Sequence, residues 1–180
     1  MHVPLVMTVI GGDRPGLVES IAGIIADHGG NWLESRMCRL GGEFAGILRI
    51  HVPAEKQKAL EQALQDLKSQ GLTVVGQPDR AQSATGSRKL TSLEIIGHDR
   101  PGIVRQITRA LASQGVNVEE LSTECVSAPM SGETLFKAQA KLLTPDTCKM
   151  GALRAELEKI AGDLMVDISF AELPPDCAAK

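Results

Sequence analysis

The stretch GGDRPGLVESIAGIIADHGGNWLE, residues 11–34, is written again 86 positions later as GHDRPGIVRQITRALASQGVNVEE, residues 97–120. Paired position by position, 11 of the 24 residues are identical. They are Gly11/Gly97, Asp13/Asp99, Arg14/Arg100, Pro15/Pro101, Gly16/Gly102, Val18/Val104, Ile21/Ile107, Ala26/Ala112, Gly29/Gly115, Asn31/Asn117 and Glu34/Glu120. Most other pairs in the helical register exchange one apolar residue for another. Agreement of this length marks an internal duplication, and the 180-residue chain reads as two units of roughly 80 to 90 residues. A unit of that size can bury a modest core.

Outward from the repeat, each half reads as strand, helix, strand, strand, helix, strand. In the first half PLVMTVIG is a β-rich apolar run closed by Gly11 and Gly12. Asp13 is expected to cap the following helix, with Pro15 in its first turn. Leu17, Val18, Ile21, Ile24 and Ile25 share one helical face, and His28, Gly29 and Gly30 end it. NWLESRMCRL and EFAGILRIHV read as two strands joined at Gly41-Gly42, a tight hairpin signal. Pro53 opens a second helix striped by Leu60, Leu64 and Leu67, and LTVVG follows Gly71 as the fourth strand.

The second half repeats the order: KLTSLEIIG, a helix over 101–114, NVEELSTECVS, ETLFKAQAKLL, a helix over about 146–161, and LMVDISFAEL. Its hairpin is longer, SAPMSGE over 127–133, with Met130 near the tip. The expected layout is a first domain over 1–78, a polar linker over 79–89, a second domain over 90–173, and a frayed tail over 174–180. The βαββαβ order implies an α+β fold: two tandem ferredoxin-like units, each an antiparallel four-stranded sheet with helices on one face. Val6, Thr8 and Ile10 alternate with Leu5, Met7 and Val9, so both faces of the first strand are largely apolar. A face or edge of that sheet is therefore expected to be covered by another domain or chain.

Composition narrows the function. Hydrophobic residues make up 43% of the chain, the net charge is −3, and no basic stripe is visible. A ferredoxin-like RNA binder stacks bases on aromatic side chains, but this chain has no Tyr, one Trp (Trp32) and three Phe. Direct nucleic-acid binding is not expected. The cysteines, Cys38, Cys125, Cys148 and Cys177, form no CxxC and sit near no histidine at ligand spacing. They read as free thiols of a cytoplasmic protein, with Cys38 and Cys125 as small buried residues at similar strand positions. The apolar run over 3–10 has strand length, so no signal peptide or membrane span is expected. No cofactor or metal set is read. No nucleophile with a base and no converging acids are apparent, so an enzyme is not expected.

The DRPG loop, the apolar helix and the G-x-N lead into the next strand resemble the ACT domain, a small regulatory module of amino-acid metabolism. The resemblance implies small ligands, often amino acids, held between the loop after the first strand of one domain and the start of the second strand of a neighbour. It therefore implies a homo-oligomer or intramolecular pairing of ACT domains. Ligand-binding candidates are Gly11, Asp13, Pro15, Gly16 and Asn31 in the first copy. In the second they are Gly97, His98, Asp99, Pro101, Gly102 and Asn117. The residue chemistry agrees. A helix N-terminus attracts a carboxylate, and Asp and Asn oxygens suit an ammonium group. Each residue also has a plainer reading: Asp13 and Asp99 as helix caps, Asn31 and Asn117 as turn formers, Arg14 and Arg100 as exposed charges, His98 as a solvated loop residue. The tandem arrangement and the segment SAPMSGETLFKAQAKL are similar to the glycine cleavage repressor family. That likeness implies glycine as effector and a separate LysR-type activator as partner. The alternative is a stand-alone sensor acting on an enzyme.

Overall fold

A computed structural model describes residues 1–79, 88–128 and 132–172. The chain divides into two compact units, Met1–Gln82 and Ser83–Lys180. The first contains β1 (His2–Gly12), α1 (Leu17–Asp27), β2 (Asn31–Leu40), β3 (Glu43–Pro53), α2 (Gln57–Asp66) and β4 (Leu72–Pro78). The second contains β5 (Arg88–His98), α3 (Ile103–Ser113), β6 (Asn117–Ser127), β7 (Thr134–Pro145), α4 (Met150–Leu164) and β8 (Val166–Glu172). The sheets run β2-β3-β1-β4 and β6-β7-β5-β8, antiparallel throughout. This is the ferredoxin-like order implied by the repeat, made twice.

Alternation along the inner strands builds each core. Leu5, Met7 and Val9 of β1 and Leu48, Ile50 and Val52 of β3 point to the helices and are buried. Leu17, Ile21 and Ile25 recur at helical spacing on α1, and Leu60 and Leu64 on α2 meet the same sheet face. The second core repeats the arrangement with Leu93, Ile95, Ile103, Ile107, Leu153 and Leu157. Fully burying one such side chain contributes about 1.5–3 kcal/mol. One polar pair sits in the second core: the hydroxyls of Thr91 and Thr144 meet at 3.0 Å, so neither is left unsatisfied.

Turns follow the glycines. Gly41 and Gly42 both take positive φ, +61° and +86°, closing β2 onto β3 in a two-residue hairpin. Gly29 and Gly115, each at φ +70°, stop α1 and α3. Three expectations are corrected. Asp13 and Asp99 do not cap α1 and α3, because each helix begins after a glycine, Gly16 or Gly102, and no side chain caps either N-terminus. The last helix runs from 150 to 164, not 146 to 161: residues 146–147 form a turn, and the chain passes through Gly162 because burying Leu164 extends the apolar stripe. Cys38 and Cys125 are exposed, not buried. Cys38 lies opposite Ala45 and Cys125 opposite Phe136, which puts them on opposite sheet faces. Cys148 is partly buried, and desolvation pushes its thiol pKa up. Of the expected linker, 80–87 lies outside the described residues, as do 129–131 of the longer hairpin, Met130 included, and the tail over 174–180.

Candidate functional site

Each first strand runs into the same loop. In the first unit the Asp13 amide donates to the Gly42 carbonyl at 2.9 Å, which ties the end of β1 to the β2–β3 hairpin. The Asp13 carboxylate pairs with Arg39 Nε at 2.5 Å. Arg14 reaches toward the Gln70 carbonyl and side-chain oxygen, both at 3.5 Å. Gly16 then takes φ +88°, ψ 0°. Those are the dihedrals of the third residue of a type II turn, and Pro15 fills the position before it. The Gly16 carbonyl accepts from the Ser20 amide and hydroxyl at 2.9 Å each, which starts α1. The first amides of the helix, from Leu17 on, meet no capping side chain.

The second loop repeats this skeleton with other side chains. The Asp99 amide donates to the Thr134 carbonyl at 3.1 Å. Gly102 takes φ +95°, ψ 0°, and its carbonyl accepts from the Gln106 amide at 3.0 Å. The position of Arg39 is held by Cys125 in the repeat, so Asp99 has no equivalent ion pair. His98 Nδ1 lies 3.7 Å from a Glu133 carboxylate oxygen, and Arg100 points to the Met165 sulfur at 3.9 Å.

Gly11 and Gly97 serve a packing need. A Cβ on Gly11 would stand 2.5 Å from the Gly71 carbonyl oxygen, and one on Gly97 would stand 2.6 Å from Val166 Cα. These glycines let the outer strand begin directly against the end of the first.

Asn31 and Asn117 are not beside these loops. Asn31 opens β2 opposite His51, and His51 faces Pro4 on β1. Gly11, by contrast, faces Phe44 at the far end of β3. The two positions are seven residues apart along β1, about 23 Å at roughly 3.3 Å per residue. Asn117 is set the same way, opposite Leu143 and in line with Leu90, seven residues from Gly97. Its side-chain amide donates to Glu119 at 2.6 Å. Within one domain, then, Asp13, Pro15 and Gly16 gather at one end of the sheet and Asn31 sits at the other.

Sequence reasoning missed Arg39 and Glu133, whose partners Asp13 and His98 lie far off in sequence, beyond a helix, and carry no local signal. The turn at Gly16 and Gly102 did carry one, since Pro-Gly is the type II signature. Among the described residues no group of three or more His, Cys, Asp or Glu side chains could hold a metal ion. Among them, too, no helix is long and apolar enough to cross a membrane.

The molecule is thus a duplicated ferredoxin-like protein with an uncapped helix N-terminus behind a Pro-Gly turn in each copy. Models of the ACT domain match residues 3–77 and 91–136. The chain belongs to the ACT-domain family, with two such regulatory domains in tandem. A protein of unknown function from Galdieria sulphuraria is 30% identical, superposes with a TM-score of 0.82, and is matched over 97% of this chain and 100% of its own. A provisionally assigned glycine cleavage system transcriptional repressor shares the fold at 20% identity and a TM-score of 0.69, over 96% of this chain and 98% of its own. A search of curated protein sequences gave no significant match.

Proposed function

We propose that this chain is a non-enzymatic sensor of a small amino acid, glycine first among candidates. In this reading it restrains a separate LysR-type activator of glycine cleavage genes, itself binding neither DNA nor membrane. The observation that carries the sensing part is the repeated loop. Both copies end their first strand in the same turn and leave the first amides of a helix without a side-chain partner. Such a terminus attracts a carboxylate. The likeness in fold to a protein assigned as a glycine cleavage repressor supports the transcriptional part. The chain's acidity fits a repressor that acts through a protein partner.

In this reading the ammonium-binding candidates Asn31 and Asn117, which lie at the far end of their own sheets from the loops, serve the loop of another ACT domain. β2 and β6 are sheet edges. Antiparallel pairing of one such edge with another lays the start of one strand beside the end of the other. That end carries the hairpin to which Asp13 or Asp99 is tied.

The test is calorimetry with glycine and serine on the wild-type chain and on Asn31→Ala and Asn117→Ala. Losing a ligand-facing polar group costs on the order of 1–3 kcal/mol, so at least one variant should bind about 5- to 150-fold more weakly with its fold intact. Unchanged affinity in both variants returns these residues to turn formers. A wild type that binds neither amino acid overturns the sensing reading. For the partner, a pull-down from the native cytoplasm should recover a LysR-type activator in a glycine-dependent manner, whereas an enzyme of amino-acid metabolism in its place supports the alternative.

A further inference from the structure

Arg14 and Arg100 hold one position of the repeat, and each reaches to the turn that leads into its sheet's outer strand. What they meet there differs. Arg14 has two oxygens, the Gln70 carbonyl and the Gln70 side chain, both at 3.5 Å. Strand register aligns Gly11 with Leu72 and Gly97 with Val166, so Gln70 and Gly71 correspond to Leu164 and Met165. The Leu164 side chain is buried in the second core and gives Arg100 no acceptor. The next residue supplies it instead: Arg100 Nη2 points to the Met165 sulfur at 3.9 Å. A thioether sulfur accepts a hydrogen bond only weakly.

Met165 holds this place against a backbone cost. Its φ is +54°, and among the described residues it is the only one other than glycine with positive φ. Gly71 takes the same conformation in the first copy, at φ +81°, where no Cβ resists it. A strained residue kept where glycine serves the backbone better points to use of its side chain. That side chain belongs to a residue 56% exposed, whereas Met7, at 1%, is shut inside the first core. Small oxidants therefore reach Met165 and not Met7.

We propose that Met165 is a peroxide-responsive modification site, whose oxidation to the sulfoxide gives Arg100 an oxygen to bind as Gln70 gives one to Arg14. The sulfur lone pair attacks one oxygen of hydrogen peroxide. An S–O bond forms, the O–O bond breaks, and the second oxygen leaves as water after taking the proton of the first. The sulfur loses two electrons and the peroxide gains them. A methionine sulfoxide reductase restores the thioether. The 3.9 Å between sulfur and nitrogen leaves room for the added oxygen. A guanidinium donating to such an oxygen makes a stronger, charge-assisted bond than it makes to sulfur. Oxidation thus ties the second Asp-Arg-Pro-Gly loop to the start of β8, with no ligand involved.

The test treats the full chain with graded hydrogen peroxide and maps its peptides by mass spectrometry. Met165 should become sulfoxide well before Met7. Arginine-selective modification with phenylglyoxal then reads the loop. A net hydrogen bond of ordinary strength should make Arg100 react about 2- to 12-fold more slowly in the oxidised chain, with Arg14 unchanged as the internal control. Met165→Leu, treated alike, should show no slowing. Met165→Gln, which carries an oxygen acceptor without any oxidant, should slow Arg100 in untreated protein. Equal Arg100 rates before and after oxidation overturn the proposal, as does a Met165 that oxidises no faster than Met7. Slowing that persists in Met165→Leu assigns the effect to another residue and overturns it too.

Discussion

Ile21→Ala is expected to destabilise the first domain by about 2–5 kcal/mol, and Ile107→Ala the second by a similar amount. The two residues are one position of the repeat, 0% and 2% exposed, each on the inner face of its helix. Truncation removes buried methyl groups and leaves a cavity that the flanking leucines fill only in part. For a domain of this size each kcal/mol moves the melting point by roughly 4–8 °C. The chain's one tryptophan makes the experiment domain-specific. Trp32 packs against the first core, so its fluorescence follows that domain while circular dichroism follows both. Ile21→Ala should shift the fluorescence transition to lower denaturant. A fluorescence transition that stays in place would mean Ile21 is not held in that core.

Gly11→Val and Gly97→Val are expected to destabilise their domains by about 1–3 kcal/mol, and Gly97→Val by the larger amount. At Gly97 the obstruction is Val166 Cα and the Met165 carbonyl oxygen, at 2.6 and 2.7 Å, and backbone cannot swing aside. At Gly11 a single backbone atom stands under 3.0 Å, the Gly71 carbonyl oxygen at 2.5 Å, and the next neighbour is a Leu72 side-chain carbon at 3.0 Å that can adjust. Gly12, with open space around it, provides the control: Gly12→Ala should cost little. Denaturant titration of the three variants checks the order. It also separates packing from ligand binding, since a glycine held only for a ligand would leave stability unchanged.

Why the fold was readable and the site was not follows from how far each signal reaches. The duplication, the leucine and isoleucine spacing and the Gly41-Gly42 turn are local, and they placed β2 and β6 to the residue. Asp13 misled because an aspartate two residues before a proline satisfies the general cap pattern. The chain instead used Pro15-Gly16 for a type II turn and spent Asp13 on Arg39, a partner 26 positions away that no local window contains. Helix α4 misled for the opposite reason. Gly162 looks like a stop, but burial of Leu164 outweighs the roughly 1 kcal/mol that a helical glycine costs. The seven-residue offset between Gly11 and Asn31 required strand register, which the sequence encodes only through the packed sheet.

That offset has a consequence for dose and response. If, as proposed, the Pro15-Gly16 turn and Asn31 are the two halves of one receptor, a single domain cannot be saturated alone. If the missing half comes from another chain, ligand and assembly strengthen each other by linkage, and half-saturation falls as protein concentration rises. If it comes from the same chain, half-saturation stays fixed. In the first case the cell's stock of this protein sets the concentration of amino acid at which it responds. In the second the threshold is written into the fold.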